Sequence, residues 1–222
     1  MNILGYGLFI LILIPLRLLA LVVHECSHGY VSTKLGDPTP RIQGRLSLNP
    51  LVHLDLFGTI LMILTGFGWA KPVEVNPMYY KDRKKGMALV ALAGPLSNFI
   101  LAFISVFLFG LFSVIFGKLN ISNSLTNVLY KIFIYSAQIN LCFMVFNLIP
   151  IPPLDGSRIL GMFLSDRTYY TMMQYEKYSM LLIMVLSLSG AFSTIIGTGV
   201  NFFYDRISDA VVFLFNILLG WL

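Results

Sequence analysis

Five stretches of the chain are apolar almost end to end: Ile3–Thr33, Met87–Phe116, Leu125–Ile149, Tyr178–Ile196 and Ile207–Leu222. A helix needs about 20 such residues to cross a bilayer, so the pattern predicts about five transmembrane helices. Gly36-Asp37-Pro38 stops the first span, and Pro150-Ile151-Pro152-Pro153 follows the third. A sixth apolar run, Leu54–Trp69, is short for a span and broken by Gly58, Gly66 and Gly68. It is read as a re-entrant or interfacial element, which needs protein to cover its backbone. The Lys71–Asn76 stretch after it alternates like an edge strand. The expected fold is an all-α polytopic membrane protein with a re-entrant or short β element between the first two spans. It forms one domain over residues 1–222, with a core over about 1–160 and C-terminal spans over about 178–222.

Composition agrees. Of 222 residues, 57% are hydrophobic and 11% charged, against about 25% charged in an ordinary soluble domain. The net charge of +5 is small and sits in loops, which fits lipid headgroups and argues against nucleic acid. Cys26 and Cys142 both fall in expected spans, so a disulfide scaffold is not expected. The segment from Met1 to Leu16 lacks a basic leader and a cleavage site and is read as a retained span. Basic residues concentrate between Lys34 and Lys85 and between Arg158 and Lys177. The positive-inside rule places both segments in the cytoplasm, with the N-terminus outside and the C-terminus inside after five crossings.

Chemistry concentrates at His24-Glu25-Cys26-Ser27-His28, inside the first apolar segment. On a helix, His24 and His28 stand one turn apart on one face and can share a metal ion, with Glu25 beside them to take a proton from a metal-bound water. Ionisable side chains at membrane depth are costly unless they have a function. A zinc site of this kind needs a third protein ligand. Asp155, His53 and Asp55 are the candidates, and Asp155 is preferred because the prolines before it free a carboxylate to turn inward. The competing reading, that Asp155 merely caps a short helix, is equally weighted. His24 lies about 15 Å from the cytoplasmic end of the first span, and the third span delivers Asn147 and Asp155 to the same side.

Other polar residues have ordinary readings. Cys26 lies about 200° round the helix from His24 and should face away from the metal. Arg17 is read as pairing within the bundle or reaching water. Asn140 is read as an interhelical hydrogen bond, and Gly94-Pro95 as a bend or a close helix contact. His53 and Asp55 are either groups that hold the metal ligands in place or makers of local hydrogen bonds.

These motifs carry a resemblance. HECSH in the first span, Gly94-Pro95-Leu96-Ser97-Asn98 in the second and Asn147-Leu-Ile-Pro-Ile-Pro-Pro-Leu-Asp155-Gly156 after the third resemble the site-2 protease family of intramembrane zinc metalloproteases. Gly44–Asp55 and Phe67–Val73 are similar to its small bacterial branch without PDZ or CBS domains. The resemblance implies a zinc-dependent endopeptidase of a bacterial cell membrane that cuts in or near a transmembrane helix of a substrate, towards the cytoplasm. It implies His24, His28 and Asp155 as ligands of one zinc ion, Glu25 as general base, and Asn147 as the residue that positions substrate or steadies the oxyanion. Asn98, Trp69, Lys71, Val73 and His53 are the expected substrate contacts, with Trp69–Asn76 as an edge that holds substrate extended. The expected partners are a transmembrane substrate and the lipid bilayer; self-association stays open. The alternatives are a membrane metal-ion transporter and a non-catalytic zinc-binding scaffold.

Overall fold

The computed structural model describes residues 3–58, 60 and 71–220. Among them every regular element is helical. In chain order these are α1 (Ile3–Lys34), α2 (Thr39–Ile42), α3 (Arg83–Lys118), α4 (Ser124–Asn147), α5 (Asp155–Gly161), α6 (Asp166–Gln174), α7 (Glu176–Leu188) and α8 (Ala191–Leu219). Short 3-10 turns at Pro50–Val52 and Pro77–Tyr79 punctuate the segment between α1 and α3.

The caps explain where the long helices begin and end. Gly36 takes φ +103, a left-handed conformation that closes α1 just ahead of Asp37-Pro38. Asp82 caps α3 by accepting from the N–H of Lys85. Asn123 and Thr126 form a reciprocal capping box at the start of α4. Pro15 and Pro95 are absorbed inside α1 and α3.

Among the described residues three helices are long and apolar enough to cross a membrane: Leu11–Lys34 of α1, Arg83–Lys118 and Ser124–Asn147. The bent pair Glu176–Ser187 and Ala191–Leu218 makes a fourth candidate, with 82° between its arms. This differs from the five spans read from sequence. The expected break at residues 197–208 lies inside α8, and the chain turns instead at Gly190, where φ is +77. The physical reason is packing. A Cβ on Gly199 would sit 2.7 Å from Val145 on α4, so this glycine serves a close helix contact and does not break the helix. The short β element is not seen: residues 71–76 form no regular strand. Most of the apolar run Leu54–Trp69 lies outside the described residues.

The core sits between α3, α4 and α8, where Ala102, Val106, Ala137, Leu141, Met144, Ile207 and Val211 are buried together. Ala102 and Ala137 are wholly buried, and small residues there let backbones approach closely. The Ser105 and Ser136 hydroxyls join α3 to α4 at 2.8 Å. Both central helices also flank α1, so the motif helix is fixed on two sides.

Candidate metal centre

The α1 spacing puts His24 and His28 on one face, and both are buried, at 4% and 9% exposure. Their Nε2 atoms point at one carboxylate oxygen, Oδ2 of Asp155, at 3.2 and 3.3 Å. Asp155 is the first residue of α5; its side chain caps nothing, the N-cap position being Leu154. Its Oδ2 is buried and has no hydrogen-bond partner. The cis peptide between Pro152 and Pro153 lies in the turn that delivers it. His53 and Asp55 are not in this group.

Each imidazole is oriented through its outer nitrogen. Nδ1 of His28 lies 2.7 Å from the Val90 carbonyl, which can only accept. Nδ1 of His24 lies 2.7 Å from Oδ1 of Asn98. The Asn98 amide donates through Nδ2 to the Ala20 carbonyl at 3.1 Å and to Oδ1 of Asn140 at 2.9 Å. Its Oδ1 therefore accepts from His24. With its proton on Nδ1, each ring can turn an Nε2 lone pair inward, the state a metal ligand requires.

Close packing against α3 completes the cradle. A Cβ on Gly94 would lie 2.5 Å from Cε1 of both histidines. Gly94 thus serves close helix contact, one of its two expected readings. Pro95 and Asn98 beside it are wholly buried. Gly156 abuts the carbonyl of Leu148, which locks the turn carrying Asp155 against the end of α4.

The three donors fit zinc. Two nitrogens and an oxygen at metal–ligand distances of 2.0–2.2 Å define tetrahedral edges of about 3.3 Å, matching the 3.2 and 3.3 Å separations seen. A buried carboxylate oxygen without a partner is what a bound cation would satisfy.

These three residues open onto a cavity of about 160 Å³ that Glu25, Pro72, Val73, Val75, Asn147 and Arg158 also line. Extended residues 71–76 pass along it. The segment is pinned at three backbone N–H groups: Lys71 donates to the His53 carbonyl at 2.9 Å, Val73 to Oε2 of Glu25 at 3.0 Å, and Asn76 to Oδ2 of Asp37 at 2.7 Å. The Asn147 side chain donates to the Phe143 carbonyl of its own helix at 3.0 Å.

The remaining expected residues fall elsewhere. Asn98 sits behind His24 and does not line the cavity. His53 is wholly buried on the other side of α1, its Nε2 2.8 Å from the Ser47 carbonyl and 3.6 Å from Cys26 Sγ. This is the local hydrogen bond of the plainer reading. Cys26 also faces this loop, its thiol donating to the Ser47 carbonyl at 3.0 Å. Oδ1 of Asp55 accepts from the N–H of Gly58. Trp69 lies outside the described residues. Sequence reasoning missed the Val90 carbonyl and the Val73 N–H, backbone groups that leave no signature in side chains. It also missed Arg158, which stands one helical turn after Asp155.

Comparison with known proteins agrees with this chemistry. Peptidase family M50 matches residues 9–190. The chain is 39% identical over 211 residues to YwhC of Bacillus subtilis (strain 168), covering 93% of this chain and 95% of the relative, whose name provisionally assigns it to the zinc metalloproteases. It is 29% identical over 205 residues to Rip2 of Mycolicibacterium smegmatis, covering 90% and 74%, which is provisionally named in the same way. It is 26% identical over 170 residues to the zinc metalloprotease MJ0392 of Methanocaldococcus jannaschii, covering 77% and 39%. No solved structure matches.

Proposed function

The chain belongs to peptidase family M50 and is a zinc metalloendopeptidase of the membrane, and we propose that it cuts a peptide bond in or near a transmembrane helix of a membrane-protein substrate, on the cytoplasmic side. The observation that carries this reading is the convergence of His24, His28 and Asp155 beside Glu25 in a cavity between membrane-length helices.

In this proposal His24, His28 and Asp155 hold one zinc ion. Bound there, zinc supplies the Lewis acidity that lets a water lose its proton near neutral pH. Glu25 is the general base. The Val73 N–H holds its Oε2, which leaves the other oxygen to take the proton and later hand it to the departing amine. Asn98 keeps His24 in its ligating tautomer. Asn147 releases its bond to Phe143 when substrate arrives and donates to the carbonyl oxygen where charge develops.

A helical substrate has its carbonyls engaged in i→i−4 bonds, so the scissile segment must unwind before it can react. Residues 71–76, with Lys71 and Val73 among them, are the candidate to hold it extended by pairing backbone to backbone. The basic segments 34–85 and 158–177 support an orientation with the metal centre towards the cytoplasm and the N-terminus outside. Because the chain turns at Gly190, the side on which it ends depends on whether α7 enters the bilayer. The orientation is therefore proposed for α1, α3 and α4.

The test is cleavage of a membrane-embedded reporter by purified full-length protein. Glu25→Gln should keep one zinc per chain and lose cleavage. A Glu25→Gln protein that still cuts would overturn the mechanism.

A further inference from the structure

A second cavity, of about 280 Å³, lies beside the metal centre. Arg158 lines both cavities, as their shared wall. It is one turn after Asp155 on α5, so the two side chains share a helix face. Pro72, Val73 and Val75 line the metal cavity, while Pro77 and Met78, next along the chain, line the second. A polypeptide laid along this segment would pass from one cavity into the other.

The lining of this cavity is chemically mixed. Lys84 is already neutralised, 2.9 Å from Asp166 and 2.6 Å from the Leu164 carbonyl. Arg83 and Arg158 also face the cavity, and among the described residues neither has an acidic partner within salt-bridge distance. Beside these two cations stand Met87 and the rings of Tyr169 and Tyr170. The Tyr169 ring rests where Gly161 has no side chain: a Cβ there would lie 2.5 Å from it. Two unpaired guanidinium groups favour a planar carboxylate, which each can grip with two N–H donors. The thioether and rings favour a large apolar neighbour.

We propose that this cavity is a substrate subsite, receiving an acidic side chain next to a large apolar one on the cytoplasmic flank of the scissile segment. The proposal rests on the protease reading and names the class of substrate it selects.

The test measures binding, so it stands apart from catalysis. Full-length Glu25→Gln protein in phosphatidylcholine nanodiscs is titrated with fluorescent transmembrane peptides. A Glu-Phe, Gln-Phe or Lys-Phe pair is walked residue by residue along the cytoplasmic flank. At one register the Glu-Phe peptide should bind about tenfold tighter than the Gln-Phe peptide, the scale of a charge-assisted bidentate pair. Arg83→Gln and Arg158→Gln should bring that ratio towards one, and Arg83→Glu should invert it in favour of Lys-Phe. Inversion distinguishes a charge contact from general misfolding, and retained zinc confirms an intact core. Equal affinities for Glu-Phe and Gln-Phe at every register would overturn the proposal. So would tighter binding that appears only with anionic lipid and ignores peptide charge, since the cavity would then be a headgroup site. If the preference is found but wild-type protein cuts no peptide, the subsite stands and the protease reading fails.

Discussion

The backbone N–H of Val73 donates to Oε2 of Glu25 across 3.0 Å, tying the extended segment to the motif helix. One oxygen of the proposed base is thereby fixed while Glu25 remains in the wall of the cavity. Val73→Pro deletes this donor and Val73→Ala keeps it. The proline variant should lose about tenfold or more in kcat with zinc retained, on the scale of general-base positioning. The alanine variant should stay within about threefold of wild type, because the N–H is kept. Equal rates in the two variants would remove the hydrogen bond from the mechanism.

Gly94 determines how closely α3 approaches His24 and His28. A methyl group there meets both imidazoles at 2.5 Å, in a wall too tightly packed to yield. Gly94→Ala should weaken zinc binding at least about tenfold, as displaced ligands do, while secondary structure by circular dichroism stays near wild type. Competition with a zinc chelator measures the affinity. A Gly94→Ala protein with unchanged affinity would mean that the helices can separate without cost.

Asn98 is predicted to act on the metal through His24 alone. Asn98→Leu removes the acceptor for Nδ1 and leaves His24 free to change tautomer. Zinc affinity should fall about 10- to 100-fold. Asn98→Asp restores the acceptor for Nδ1 but turns a second oxygen towards the Ala20 carbonyl, so it should recover only part of that loss. If Asn98→Leu instead raises KM and spares zinc binding, Asn98 contacts substrate.

Legibility in the sequence followed chemistry. His24 and His28 were readable because their spacing is one helical turn. Asp155 was readable only as one of two equal options, since a carboxylate before Gly-Ser caps a helix as naturally as it binds a metal. The approach of its Oδ2 to both imidazoles, which favours the metal reading, is a property of the packed turn. Asn98 was visible as a polar residue within an apolar span, but its partner on another helix was not. The C-terminal half misled for a related reason. Gly197, Gly199 and nearby polar residues look like a loop, yet Gly199 is used to pack α8 on Val145, and Gly190 takes the turn.

The ligand set can be checked by elemental analysis. Wild type and His53→Ala should each carry one zinc per chain, because His53 lies behind α1 against the Ser47 carbonyl. Asp155→Ala should lose most of it, since three protein ligands are needed to hold the ion. Zinc that survives Asp155→Ala and disappears in His53→Ala would move the site to the Asn49–Asp55 loop.

Asp37 links the fold to acid sensitivity. It is wholly buried just beyond α1 and accepts from the Ser32 hydroxyl at 2.7 Å and from the N–H groups of Thr39 and Asn76 at 2.9 and 2.7 Å. Burial raises its carboxyl, but the Asn76, Thr39 and Ser32 bonds outweigh this and hold it below the ordinary value of 3.8. A carboxyl depressed in the folded state contributes stability above its unfolded value and loses it as pH falls through the folded one. The Asn76 bond anchors the far end of the segment that crosses the metal cavity, so losing it should free that segment first. Asp37→Ala should cost about 2–3 kcal/mol at neutral pH, the scale of lost bonds to a buried charged acceptor. The gap to wild type should hold down to about pH 4 and close below it, as the wild-type carboxyl takes up its proton. Thermal unfolding in detergent across pH 3–7 measures this, with hydrogen exchange at Val73 and Asn76 reporting the segment. A gap that persists unchanged at the acid end would show that the charge of Asp37 is not what anchors Asn76.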